Sequence, residues 1–254
     1  MEEWSDQAIV LSARAHGEGG AVLSVLTENH GRHAGYVHGA RGSRLRGFTE
    51  PGTLMTITWK ARTADQLGTI SFEDGVNQAA MLLNDPLRLS ALLSAAALCD
   101  RALPEREVHA GLFHGLSALV QTLESDIWSA AYVLWEVALI KELGFGMDLT
   151  RCVAGGDNSD LTYVSPKSGC AVSTEKAEPY KDKLLALPGF MIGKGFSAEP
   201  DREIMNGLRL TGHFLTHWVF AHNTQGVPDA RLRFQGMFEK SLPEVMPEAS
   251  LQQA

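Results

Sequence analysis

QAIVLSARAHGEGGAVLSVLTENHGRHAGYVH, residues Gln7–His38, reads as three short apolar runs, each stopped by residues that turn the chain. Gln7–Ala15 is rich in Ile, Val and Leu and ends at Gly17-Glu18-Gly19-Gly20, where Ala21–Thr27 takes over. Glu28-Asn29-His30-Gly31 has the composition of a hairpin turn, with Gly31 able to take positive φ. Arg32–His38 is the returning strand. Further on, Leu54–Ala61 alternates Met55, Ile57 and Trp59 against Thr56, Thr58 and Lys60, a period of two, and Gly68–Glu73 repeats it with Ile70 and Phe72.

Five short strands in about seventy residues imply a small closed barrel, because closure removes exposed strand edges. A five-stranded nucleic-acid-binding barrel (OB-fold) fits the count, and an SH3-like barrel fits the pattern equally well. Trp59 shares the Met55/Ile57 face and is assigned to the barrel core.

At Asn84-Asp85-Pro86 the period changes. Asp85 is placed to cap a helix and Pro86 suits its first turn, with Leu89, Leu92, Leu93, Ala96 and Ala97 on one face. A second helix is expected from about Glu105 to Leu123, with Leu112, Leu116, Leu119 and Leu123 inside. Asp126 is expected to cap a third, burying Ala131, Leu134, Trp135, Ala138 and Leu139 and stopping at Gly144-Phe145-Gly146. Residues 147–174 form an irregular insertion rich in Gly, Ser, Asp and Asn, with one β-like piece at Leu161–Val164. Helix is expected again near Glu175–Leu187. From Asp201 to His222, Ile204, Leu208, Thr211, Leu215, Trp218, Val219 and His222 share a face, and Pro228 opens a last helix. The expected class is therefore α+β and multidomain: an N-terminal barrel domain (1–80), then a helical bundle (81–240) carrying the insertion at 147–174. Residues 241–254 contain Pro and Glu and no base, the composition of a disordered tail.

The chain of 254 residues has a formal net charge of −8, and the barrel region shares in it: residues 1–84 carry seven basic and nine acidic side chains. Nucleic-acid binding therefore has to rest on local placement of charge. Between Asn29 and Thr49 that placement is lopsided. The segment holds Arg32, Arg41, Arg44 and Arg46, with His30, His33 and His38, and no acid. Guanidinium suits bidentate phosphate contact, while Gly35, Gly39, Gly42 and Gly47 give the backbone room to approach a ligand. Tyr36 and His38 alternate on one strand and share a face; if that face is the outer one, Tyr36 is a platform for base stacking, and otherwise it is core. Lys60 and Arg62 extend the positive track. The alternative for the whole segment is a solvated basic loop.

No phosphate-loop or GxSxG motif occurs, and no catalytic constellation is visible, so an enzyme reading would have to use Cys152 or Cys170 in the insertion. Three widely spaced cysteines make no disulfide framework, no apolar run is long enough to span a membrane, and the acidic start lacks a secretory h-region. A cytoplasmic location is expected. His213 and His217, four apart, lack an HExxH context and read as structural or surface residues.

The order barrel, bundle, insertion, helix resembles the RecO family of bacterial recombination mediators. The resemblance is carried by Ala8-Ile9-Val10-Leu11 leading to Gly17-Glu18, by Gly31, by Gly39-Ala40-Arg41 through Leu45-Arg46-Gly47, by Leu143-Gly144-Phe145 with Cys152 beyond, and by Ala230-Arg231 before Leu232. It implies an OB-fold that binds single- and double-stranded DNA, annealing of complementary strands, and nucleoid association. It also implies binding of the acidic C-terminal tail of SSB, and loading of RecA together with RecR, with no cofactor required for annealing. Many relatives carry four cysteines as a zinc knuckle in the insertion. Here only Cys152 and Cys170 stand in that region, with no histidine between them, and no structural zinc is expected. A Lys-Ser pair common before the arginine is replaced by Asp229-Ala230. An RNA-binding OB module is the remaining alternative.

Overall fold

A computed structural model describes residues 1–42, 45–63 and 65–243. Arg44, and most of the expected C-terminal tail, lie outside the described residues.

Five strands close into a barrel in the order β1-β2-β3-β5-β4: β1 (Glu2–His16), β2 (Gly20–Thr27), β3 (Gly31–Val37), β4 (Leu54–Ala61) and β5 (Thr69–Ser71). The lone parallel contact, β3 with β5, gives this closure the OB-fold order and decides against the SH3-like alternative. β1 is longer than its apolar run because it serves two neighbours. Its first half pairs with β4 and its second with β2, and an irregularity between Val10 and Ser12 bends it between the two. Leu23, Val25, Val37, Met55, Ile57, Ile70 and Trp59 fill the interior. Gly35 also faces inward, where an added Cβ would lie 2.5 Å from Ile70; it makes room for the core and not for a ligand. Gly31 takes φ +70°, as its turn requires. The carboxylate of Asp6 ties that hairpin down, accepting from the Asn29 amide at 2.8 Å and lying 2.7 Å from His30 Nδ1.

The helices are α1 (Gln78–Met81), α2 (Pro86–Ala102), α3 (Ala110–Thr122), α4 (Trp128–Glu142), α5 (Thr174–Ala177), α6 (Pro200–Phe214) and α7 (Asp229–Ser241). Asp85 caps α2, accepting from the Arg88 amide at 3.1 Å. α2 is central: Ala91, Leu92, Ala95, Leu98 and Cys99 are buried together, against a core that also takes Ile9, Leu11 and Leu26 from the outside of the barrel. Among the described residues, no helix is long and apolar enough to cross a membrane.

Several expected boundaries move for physical reasons. Helix α3 starts at Ala110 and not near Glu105, because residues 103–107 run along the barrel. There Arg106 N donates to Arg32 O at 2.8 Å, Glu105 bridges to Arg32, and Arg106 takes φ +64°. Asp126 does not cap α4; Ile127 occupies the cap position without a side-chain bond. Leu134 is exposed and Ala138 faces outward, while Tyr132, Val133, Glu136 and Ile140 turn inward. Glu175–Leu187 is not one helix. Pro179 cannot continue one, and α5 gives way to a 3-10 stretch, Glu178–Lys183, and a strand. The insertion holds a three-stranded sheet in the order β7-β6-β8: β6 is Leu161–Val164, β7 is Ala171–Ser173 and β8 is Leu185–Ala186. A π turn, Leu215–Val219, continues α6, which leaves His222 exposed beyond the helix.

A buried ion pair locks the bundle. Glu136 on α4 is fully buried and receives Arg231 of α7 through Nε and, at 2.9 Å, through Nη2. Tyr132 donates to Glu136 at 2.8 Å, and Arg231 also donates to Leu208 O on α6 at 2.9 Å and Gln235 at 2.8 Å. Burial opposes the charge on Arg231, but the carboxylate of Glu136 outweighs it and holds the guanidinium above its ordinary value. Breaking such a pair from one side leaves an uncompensated buried charge. Arg231→Met should cost about 3–5 kcal/mol in urea unfolding, and adding Glu136→Leu should recover most of it. A double variant no more stable than the single one would show that the pair's geometry, and not the stranded charge, holds the helices.

Candidate nucleic-acid interface

Alternation along β1, β2 and β3 sorts the barrel's side chains into two sets. The outward set forms a row across the sheet: Arg14 opposite Val22, Val22 opposite Tyr36, Tyr36 beside Thr69, and Thr69 opposite Lys60. Because the row takes one residue from each of the five strands and β4 pairs back to β1, it winds round the barrel: Arg14, Val22 and Tyr36 share the β1–β2–β3 face, and Thr69 and Lys60 continue round its side. Tyr36 lies half-buried on this outer face, its hydroxyl over Gly20, where an added Cβ would come within 2.0 Å of that oxygen. His38 approaches the Tyr36 ring edge-on at 4.7 Å, and His16 does so at 5.8 Å. The β1–β2 turn and the β4–β5 loop flank this face; the same strands and loops carry oligonucleotides in OB-folds.

The glycine-flexed loop after β3 folds back beside the β1–β2 turn. Gly39 takes φ +69°, and Arg41 N donates to Gly19 O at 3.2 Å. Ala40, Leu45 and Phe48 pack on the barrel core, and a short 3-10 helix spans Arg46–Thr49. Arg41 and Arg46 line one cleft of about 300 Å³ with Ala13, Ala15 and Glu50. Among the described residues, Arg14, Arg41, Arg46 and Arg62 have no carboxylate within 4.0 Å.

The expected site thus divides. Tyr36, His38, Arg41 and Arg46 are gathered around the β1–β2 turn, with Lys60 and Arg62 at the far side of the row. Lys60 is exposed and pairs with Glu3 at 2.8 Å, a surface contact that a phosphate can displace. Arg32 belongs elsewhere. It points from the opposite end of β3 into the helices, donating from Nε to Leu103 O at 2.8 Å and lying 3.6 Å from Asp100 and 3.5 Å from Glu105. Its charge is neutralised internally, so it is withdrawn from the phosphate contacts. Arg14 and His16, which the sequence reading did not single out, lie on the same outer face beside Tyr36. Their signal was the alternation of Ser12, Arg14 and His16 against Ala13 and Ala15.

In the insertion, Cys152 and Cys170 occupy separate settings. Cys170 lies in the strand region near Ser168, whereas Cys152 is buried with Ser173, whose amide lies 3.3 Å from the sulfur. Burial alone would raise the Cys152 thiol, but hydrogen bonds from Ser173 and from the amides of Gly156 and Ala154 bring it down to about 7. Among the described residues no group of three His, Cys, Asp or Glu gathers in a way that would hold a metal.

A closed barrel in OB-fold strand order, with Tyr36, His16 and His38 on its outer face beside Arg41 and Arg46, joined to a helical bundle, has the architecture of the OB-fold class of proteins. Two family models match the chain: Recombination protein O N terminal over residues 1–78 and Recombination protein O C terminal over residues 83–223. The chain is similar to the DNA repair protein RecO of Rhodospirillum centenum, 51% identical over 241 residues that cover 94% of this chain and 96% of the relative. The RecO proteins of Caulobacter vibrioides and Rhodospirillum rubrum are 47% and 44% identical, covering 91% and 92% of this chain and 95% of each relative. The chain belongs to the RecO family.

Two outcomes test these placements. Arg32→Gln should lower stability by about 2 kcal/mol in urea unfolding while leaving the salt dependence of oligonucleotide binding unchanged; a loss of slope matching that of Arg41→Ala would return Arg32 to the phosphate contacts. Cys152 has its folded value depressed, so its contribution to stability is full above the unfolded thiol range and is lost as pH falls through about 7. Wild-type stability measured relative to Cys152→Ser should therefore rise between about pH 7 and pH 9, and a flat difference across that window would contradict the hydrogen-bonded thiolate.

Proposed function

We propose that this chain is a DNA repair protein that binds single- and double-stranded DNA on the outer β2–β3 face of its barrel and anneals complementary strands there. The observation that carries this reading is the β1–β2–β3 face on which Tyr36 lies with Arg14, His16 and His38, with Arg41 and Arg46 beside the β1–β2 turn and Lys60 and Arg62 continuing the cationic surface round the barrel. Such a face supplies the two parts that non-specific single-strand binding needs: cations along the backbone path and a ring on which a base can stack. Arg44 lies outside the described residues, but its place in the same acid-free loop assigns it the same role.

The mechanism is electrostatic. Each strand brings a repulsive line of phosphates; a shared cationic face neutralises part of both and releases condensed counterions, so pairing proceeds without nucleotide hydrolysis. Glu18, Glu50 and Asp65 sit in the flanking loops and work against this attraction, which keeps binding modest and easily reversed. This reading is non-enzymatic. Membership of the RecO family further supports action on SSB-coated DNA, through the SSB C-terminal tail and RecR, in loading RecA.

Replacing Arg14, Arg41, Arg46 and Arg62 by alanine should reduce the salt slope for single-stranded DNA by about 3, at roughly 0.7 per lost contact. Tyr36→Ala should cost about 1–3 kcal/mol in binding with a smaller change of slope, the signature of lost stacking. Strand annealing, followed with and without SSB coating and with matched RNA as competitor, should fall with both variants. A folded quadruple variant with unchanged affinity, slope and annealing would remove the assignment, and RNA outcompeting DNA would redirect it to RNA.

A further inference from the structure

Helix α4 is apolar on both faces. Its inner side buries Tyr132, Val133, Leu139 and Ile140, together with Glu136 and its counter-charge. Its outer side carries Ile127, Ala131, Leu134 and Ala138, whose spacing keeps them on one stripe that ends at Lys141. Ile127 is 64% exposed and Leu134 44%; Ala138 is exposed and Ala131 half-buried. From Ile127 to Lys141 the stripe runs about 21 Å without another polar side chain. A helix that is apolar all round belongs in an interior, so one side of α4 is uncovered among the described residues. The neighbouring helix α3 adds low relief. Gly111 and Ala118 are exposed there, and an added Cβ on Gly115 would stand 3.6 Å from the Trp135 ring of α4.

Charge at the two ends of the stripe says what covers it. Glu124 and Asp126 stand exposed just before Ile127, and Lys141 stands exposed at the far end. Among the described residues none of these three has an opposite charge within 4.0 Å. Arg88, which reaches the Leu123 carbonyl at 2.9 Å, is paired with Asp85 at 3.0 Å. The stripe is therefore acidic at one end, basic at the other and apolar between. Ile127 and Lys141 lie seven positions on either side of Leu134. Such a pattern is complementary to its own reverse: turned end for end about Leu134, it sets each lysine against the acids of the other copy.

We propose that the α3–α4 face is a self-association surface, on which a second copy of this chain packs antiparallel about a two-fold axis through Leu134. The same patch serves both copies, as a closed two-fold dimer requires. Leu134 meets its counterpart at the axis, and the small side chains of Ala131 and Ala138 leave room beside it. A parallel pairing would set acids on acids and lysine on lysine. The face is about 21 Å long and two helices, about 20 Å, wide, roughly half of the 800 Å² per partner that a stable dimer buries. Association is therefore weak and concentration-dependent. None of its residues lies on the barrel, so the surface stands independently of the DNA-binding reading. Paired copies would bring two barrels into one assembly, and so two strands, a consequence that does rest on the function proposed above.

The test is sedimentation velocity on the full chain without DNA, from about 1 to 100 µM at fixed salt. The wild type should pass from monomer toward dimer across that range. Leu134→Glu, an exposed position whose fold is checked by circular dichroism, should sediment as a monomer throughout. Lys141→Glu alone, and Glu124→Lys/Asp126→Lys alone, should each weaken dimerisation by about tenfold. All three changes on one chain should restore it to within about threefold of wild type, because the antiparallel pairs are then re-formed with reversed sign. A monomer at every concentration would overturn the proposal, as would a dimer indifferent to Leu134→Glu. A dimer that Leu134→Glu abolishes but that charge reversal neither weakens nor restores would overturn the antiparallel arrangement. A monomer whose Ile127 and Leu134 methyl signals shift saturably with a synthetic peptide of residues 244–254 would give the face to that segment instead.

Discussion

Arg32 decides which face of the barrel is free. Its guanidinium reaches across to the Leu103 carbonyl, Asp100 and Glu105, and its own carbonyl accepts from Arg106. Gly31 beside it leaves room for the Glu107 backbone, which would stand 2.0 Å from an added Cβ. Ser12 adds a bond to Asp100 at 2.8 Å. These contacts pin the start of β3 and the middle of β1 against α2 and the 103–107 segment. What remains open is the other end of the same strands, where Arg14, His16, Tyr36 and His38 lie. One arginine held internally thus orients the others toward solvent.

The same division explains how an acidic protein can present a basic surface. Carboxylates concentrate on the helices, around the 103–107 segment and at the ends of α2 and α4, while the barrel face around Tyr36 holds few. The buried Glu136–Arg231 pair keeps the bundle's helices in one arrangement, and through α2 it supports the platform on which the barrel is seated. Arg231 is the arginine of the Ala230-Arg231 motif that helped to suggest the family, and its work is structural: it is 1% exposed and fully engaged inside the bundle.

Elements whose identity depends on local chemistry were legible in the sequence. Strand β4 and strand β6 were read to the residue, the Gly31 turn and the Asp85–Pro86 helix start were correct, and Trp59 belongs to the core as its alternation implied. Elements shaped by distant contacts were not. Residues 105–107 have a composition compatible with helix but follow the barrel instead, because the backbone of β3 offers them partners. Glu136 was invisible as a core residue because a carboxylate is buried only when its counter-charge arrives, here from a helix 95 positions away. The charge pattern singled out the acid-free segment but could not tell Arg41 and Arg46, which share a cleft, from Arg32, which faces the other way. Gly35 looked like ligand space and proved to be core space, filled by Ile70 and Trp59.

The central claim is that nucleic acid lies across the open β2–β3 face, over Tyr36. Photocross-linking of an iodouracil-substituted single strand to the intact protein, with the adducts mapped by mass spectrometry, tests it most directly. The account predicts adducts at Tyr36, His16 or His38 that vanish when Gly20→Ala displaces the tyrosine ring. Adducts confined to helical residues such as Tyr180 or Trp218, with the barrel face unmodified, would contradict it.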